Sequence, residues 1–167
     1  ARAPATLEVE GFETLKLTYP DGHHNAETLL VDPADGTLYV VTKTETGPAA
    51  LYRYPPPLRP GEKVELELVT ASAGTAENQL YQTTPTGGDI APDGSRIALR
   101  MYHRLWVWPR AAGQPLAQVL ATDPCEVSQR EEKQGEAVGF RVEGGAYLTI
   151  SEGFQPAIWQ FAPAVPE

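Results

Sequence analysis

Residues 25–41 read NAETLLVDPADGTLYVV: an apolar run, a turn of Asp, Pro and Gly, and a second apolar run. The pattern returns as TGGDIAPDGSRIAL over residues 86–99 and as GEAVGFRVEGGAYLTI over residues 135–150. Val31, Ile90 and Phe140 are equivalent points, 59 and then 50 residues apart. Pro presets φ for a turn, Asp bonds its own backbone and Gly accepts the positive φ that closes it, so each copy is a β-hairpin. Hairpins repeating at this spacing are the mark of β-propeller blades. The expected fold is all-β, with about three four-stranded blades that amount to half of a six-bladed ring.

Working outward from the first copy, blade one spans residues 25–70: strands Glu27 to Val31, Thr37 to Thr42, Ala50 to Tyr54 and Lys63 to Thr70, with a Pro-rich crossing at Pro55 to Pro60. Before it, residues 12–19 alternate apolar and polar as a half-buried leading strand with no hairpin partner. A polar stretch from Ala71 to Pro85 reads as a rim loop. Blade two spans residues 86–121, with Gln114 to Ala121 as its fourth strand, and Asp123 to Gln134 (DPCEVSQREEKQ) reads as a charged, solvated connection. Blade three spans residues 135–161 and offers only three strands, because Ala162 to Glu167 (APAVPE) is too rich in Pro to pair. The whole of residues 1–167 is one half-propeller domain in this reading. A leading strand at one end and a short blade at the other suggest that two chains complete a ring, each donating residues 12–19 to the other's last blade. A separate N-terminal half of the propeller would serve equally, and either arrangement covers an exposed sheet edge.

Composition agrees with a packed β domain. The chain has 167 residues, 41% of them apolar, with 16 Pro and 15 Gly between short β-branched and aromatic runs, enough for one core with many turns. No window carries a clear helical period. Thirteen basic against 22 acidic residues give a net charge of -9, which repels a phosphate backbone and excludes nucleic acid as the expected partner. No apolar run reaches the roughly 20 residues of a membrane helix, so no membrane insertion is expected. Cys125 is the single cysteine and cannot form a disulfide within the chain. The sequence starts Ala1-Arg2-Ala3-Pro4 without a Met, which fits removal of a signal peptide, internal cleavage or a boundary within a longer protein alike; a periplasmic or extracellular location is the expectation, with a cytoplasmic one left open.

Polar residues on innermost propeller strands line the central channel, so they are the places to look for chemistry. Alignment on Val31, Ile90 and Phe140 brings Glu27, Thr86 and Glu136 into register, each four residues upstream. Alternation puts the two glutamates on the face of the apolar anchors. Carboxylates crowded near an axis call for a cation, a proton or a donor; hard oxygen ligands suit Ca²⁺ or another divalent ion, and bonding to backbone amides at a strand start is the plainer alternative. Asp89 is a third acid, one residue out of step unless Gly87-Gly88 forms a bulge. In YPDGHHNAE one histidine belongs on the surface, and His24 with Asn25 could join Glu27 at the channel mouth as a ligand-binding group. Arg100, read as the counterpart of Thr42 and Ser151, either pairs a carboxylate or meets an anionic ligand. Trp106 and Trp108 read as packing between blades. No nucleophile elbow, P-loop, H-E-x-x-H or paired-Cys motif is present.

At NAETLLVDPADGTLYVVTK, GGDIAPDGSRIALRMY and GEAVGF with YLTISEG the chain resembles bacterial WD40-like and TolB-like propeller proteins. The Glu-x-x-x-Val-Asp-Pro-x-x-Gly pattern is also similar to blades of esterase-like phytases and gluconolactonase-like propellers. That second resemblance implies a divalent cation in the channel, held by Glu27 and Glu136 with Asn25. Two functions follow. One is an exported, non-enzymatic binding or scaffold module that completes its ring with a second copy of itself or a separate half. The other is a metal-dependent hydrolase of phosphoesters, lactones or esters whose site forms when the ring closes.

Overall fold

The computed structural model describes residues 10–44, 48–71, 84–142 and 145–162. Most of the rim loop expected at Ala71 to Pro85 and of the Pro-rich tail from Ala162 lies outside them. Three antiparallel sheets follow one another along the chain as propeller blades. Blade one orders β2 (Ala26–Val31), β3 (Leu38–Thr42), β4 (Leu51–Arg53) and β6 (Glu67–Thr70), after β1 (Lys16–Thr18) and interrupted by β5 (Lys63–Glu65). Blade two orders β7 (Pro85–Ile90), β8 (Arg96–Met101), β9 (Leu105–Pro109) and, beyond the helix α1 (Leu116–Leu120), β10 (Cys125–Glu126). Blade three is β11 (Gly135–Phe140), β12 (Tyr147–Ser151) and β13 (Ile158–Phe161). The first strand of each blade is innermost, and β7 packs between β2 and β11.

Local chemistry accounts for the hairpins. In blade one Asp32 Oδ1 accepts from Ala34 N at 3.1 Å, and Gly36, at φ +75°, donates to Asp32 O at 2.8 Å. In blade two Gly94, at φ +72°, donates to Ala91 O at 2.7 Å while Asp93 holds Ser95 N at 3.0 Å. Blade two also grips both neighbours at these turns. Arg110 forms a two-pronged pair with Asp32, at 3.1 and 2.7 Å, and Arg96 Nη1 donates to Gly145 O at 3.1 Å.

Strand alternation gives each blade a forward face, toward the next blade, and a backward face. The forward face of blade one (Leu30, Val41, Leu51) meets the backward face of blade two (Ile90, Ile97, Leu99, Trp106, Trp108) in the main core. The forward face of blade two (Ala98, Leu105, Val107) meets the backward face of blade three (Val138, Phe140, Tyr147) in a smaller cluster. The inner strands approach closely because β7 carries glycines toward each side. A Cβ on Gly87 would overlap the Glu136 backbone carbonyl, and one on Gly88 would stand 2.9 Å from the Thr28 methyl.

Four expectations are corrected. The leading strand is only Lys16–Thr18, and it is not partnerless: it pairs in parallel with β5, Leu17 opposite Val64. To provide that partner, the single strand expected over Lys63 to Thr70 breaks at buried Leu66 into β5, which pairs with β1, and β6, which pairs with β4. Gln114 to Ala121 is not a strand; Leu116, Val119 and Leu120 are buried at helical spacing and form α1 after Pro115. The fourth strand of blade two is instead β10, inside the segment expected to be a solvated connection.

Candidate functional site

Each inner strand carries a β-bulge at its start. Ala26 pairs with Thr42 and Thr28 with Val41, so Glu27 is the extra residue. Pro85 pairs with Met101 and Gly87 with Arg100, which leaves Thr86 extra; Gly135 pairs with Ser151 and Ala137 with Ile150, which leaves Glu136 extra. The three residues that sequence alignment brings into register thus stand at one repeated irregularity. A bulge re-aims its extra side chain, so the alternation that would put Glu27 with Val31 and Glu136 with Phe140 does not hold there. Thr86 shows the new direction: its hydroxyl donates forward to Gly135 O at 2.7 Å.

At this end of the inner strands, Lys43 Nζ donates to Glu27 Oε2 at 2.7 Å and to the Tyr102 hydroxyl at 2.7 Å, joining blades one and two. Burial pulls the Lys43 pKa down, but the bonds to Glu27 and Tyr102 outweigh it and the net shift is upward. The Glu136 carboxylate has no hydrogen bond or ion pair among the described residues. Burial first, then the charges of Glu27 and Glu152, push its pKa up against the opposing pull of Lys43 and Arg100. Sequence reading missed Lys43, Tyr102 and Glu152. They follow β3, β8 and β12 directly, and the equivalent bonds from Lys43 N to Asn25 O and from Glu152 N to Gln134 O, both 2.8 Å, mark that register.

The other residues singled out by sequence lie elsewhere. Asp89 faces blade three, where Oδ2 accepts from Phe140 N at 2.7 Å and Oδ1 from Ile90 N at 2.9 Å. Burial raises its pKa against these two bonds. His24 turns away from Glu27: its Nε2 lies 2.9 Å from Asp21 Oδ1 and 3.0 Å from the Tyr52 hydroxyl, beside the Tyr19 ring. Tyr52 donates to Asp21, which holds the Asp21 pKa down, and burial raises that of Tyr52. Asn25 contributes its backbone carbonyl to Lys43 N, and His23 is exposed. Tying the leading segment to blade one is what the His24 cluster does.

Arg100 is fully buried. Met101, not Arg100, is the counterpart of Thr42 and Ser151, and Arg100 stands opposite Gly87. Its Nη2 donates to Glu132 Oε2 at 2.7 Å and its Nη1 to Gln129. Thr149 completes the set, donating to Glu132 Oε1 at 2.9 Å. Gly135 is required here, because a Cβ would overlap the guanidinium. Of the two roles weighed for Arg100, the structure supplies the carboxylate, from the segment expected to be solvated.

The residues proposed for a divalent cation do not assemble as one site. Glu27 is held by the Lys43 ammonium and Asp89 by backbone amides on another seam. Among the described residues no three His, Cys, Asp or Glu side chains are placed to share an ion. No helix among them is long and apolar enough to cross a membrane.

No protein-family model and no curated protein matches the chain. One similar solved structure is a quinonprotein alcohol dehydrogenase-like protein from Bacteroides thetaiotaomicron, 13% identical, with a TM-score of 0.45. The match covers 96% of this chain and 34% of that one, so this chain spans about a third of its neighbour's length.

Proposed function

We propose that this chain is an exported, non-enzymatic binding or scaffold module of the bacterial WD40-like or TolB-like kind, whose ring of blades is completed by a second chain. The observation that carries the reading is the forward face of blade three. There Ala137, Gly139, Leu148, Ile150 and Ile158 line an apolar recess, and β13 has no strand on its outer edge among the described residues. Ile158 is 66% exposed, and the same kind of face on blades one and two is buried by the following blade. An apolar face beside an unpaired edge is a surface that proteins cover. Because Lys16–Thr18 already pairs with β5, completion proceeds face against face and not by donation of the leading strand. The engagement of Glu27 by Lys43 and of Asp89 by backbone amides favours binding over a hydrolytic ion.

Light scattering on the purified chain at micromolar concentration tests this. The expected result is a mass above that of one chain. A monomer that melts cooperatively would overturn the reading.

A further inference from the structure

The forward face of blade three, which no blade among the described residues covers, and the part of blade one's backward face that stays open at β2 are of complementary kinds. Within the molecule, a forward face always meets a backward face, and a glycine stands where the inner strands come closest: Gly88 against Thr28, Gly87 against the Glu136 backbone. On its uncovered forward face β11 presents Ala137 and Gly139, both small. The uncovered backward face of β2 presents Leu29 and Val31, which are 58% and 51% exposed. The leading segment lies over the middle of that face through Leu15 and Tyr19 and leaves the inner strand open.

Charge follows the same pairing. Across the seam between blades one and two, Glu27 of the first blade and Tyr102 of the second share Lys43. At the corresponding rim of blade three, Glu136 and Glu152 are both acidic, and among the described residues no cation of that blade pairs with either. In a seam formed by a following blade one, Lys43 of that blade takes the place of Tyr102 and faces Glu136 and Glu152.

Resting on the reading that a second chain completes the ring, we propose that the second chain is another copy of this one. The open inner strand β2 of its blade one seats on the forward face of blade three, and a two-fold axis repeats the contact to close six blades. The seam packs Leu29 and Val31 against Ala137 and Gly139 and sets Lys43 against Glu136 and Glu152.

Mixing two blocked variants tests the seam. Leu29→Lys spoils only the backward face and Ala137→Glu only the forward face; both sites are exposed, so neither change burdens the fold of one chain. Each variant alone is expected to be monomeric with wild-type circular dichroism, its dimer dissociation constant raised by roughly 100-fold or more. An equimolar mixture restores a dimer, because one seam is wild type and the other sets Lys against Glu. Ile158→Glu replaces Ala137→Glu should that variant fail to fold. A dimer that survives both single substitutions, or a mixture that stays monomeric while the wild type dimerises, overturns self-pairing and leaves completion by a different chain standing. A monomeric, cooperatively melting wild type overturns both.

Discussion

Both seams hold a buried ion pair, but the one between blades one and two keeps it at the turn end of an apolar interface, whereas the one between blades two and three sets it among the core residues. The first packs Leu30, Val41 and Leu51 against Ile97, Leu99 and the perpendicular rings of Trp106 and Trp108. Its ion pair, Asp32 with Arg110, is nearly fully buried too, but it lies at the turn after β2 and not among these apolar side chains. In the second, Ala98 and Leu105 leave room for Arg100, Glu132 and Thr149, all fully or nearly fully buried. Apolar packing gains from area and tolerates small shifts, whereas a buried ion pair is costly to break and demands geometry. The second seam is accordingly the more exacting at its centre, where Arg100 and Glu132 meet within the core and Gly135 leaves no room for a Cβ.

Cutting away Trp108 is the strongest attack on the contrast. Trp108→Ala opens a cavity in the apolar part of the first seam and removes the bond from Nε1 to Thr122 O, and it is expected to cost about 3–5 kcal/mol in urea denaturation. Glu132→Ala leaves the Arg100 guanidinium buried beside Gln129 and is expected to cost about 3 kcal/mol or more. Replacing both partners, as Arg100→Met with Glu132→Leu, is expected to recover most of that loss. If the double variant is as unstable as the single one, burial of charge among the core residues is not what sets the second seam apart.

The smallest effect is on pH, and it differs in sign between the seams. Arg110 holds the Asp32 pKa below its ordinary 3.8, so the folded state binds this proton less readily than the unfolded chain. Its stabilisation is full above that value and is lost as pH falls through the lower, folded pKa. Burial raises the pKa of Asp89 above 3.8, so the folded state holds that proton longer and stability declines as pH rises through the window just above 3.8. Urea midpoints across roughly pH 2–6 should show Asp32→Asn flattening the acid side of the profile and Asp89→Asn flattening the opposing slope above it. Identical profiles for the two variants would remove this difference between the seams.

How much of this could be read from the chain depends on whether the signal was local. The hairpins were legible because Asp32, Gly36, Asp93 and Gly94 bond within their own turns. The register of Glu27, Thr86 and Glu136 was legible because the repeat preserves it, and the structure finds a bulge at each. Helix α1 had a local signal, Leu116, Val119 and Leu120, that a strand assignment to a fourth position overrode. The pairing of β1 with β5 had none, since it joins residues 47 apart, as in Lys16 with Lys63. Glu132 reads in sequence as one more residue of a charged run; only the burial of Arg100 opposite makes it a core residue.

By itself the sequence determined the units: the hairpins, their repeat, the apolar face of each strand and the equivalence of the two glutamates. Turn geometry and alternation depend on neighbours a few residues away, so the order of residues carries them in full. The tertiary structure alone decided how those units are used. It folded the leading strand onto β5, drew Glu132 into the core and paired Glu27 with a lysine, while among the described residues Glu136 has no such partner and the forward face of blade three has no cover. These outcomes depend on which side chains meet across blades, and that distance in the chain is not written in any local pattern.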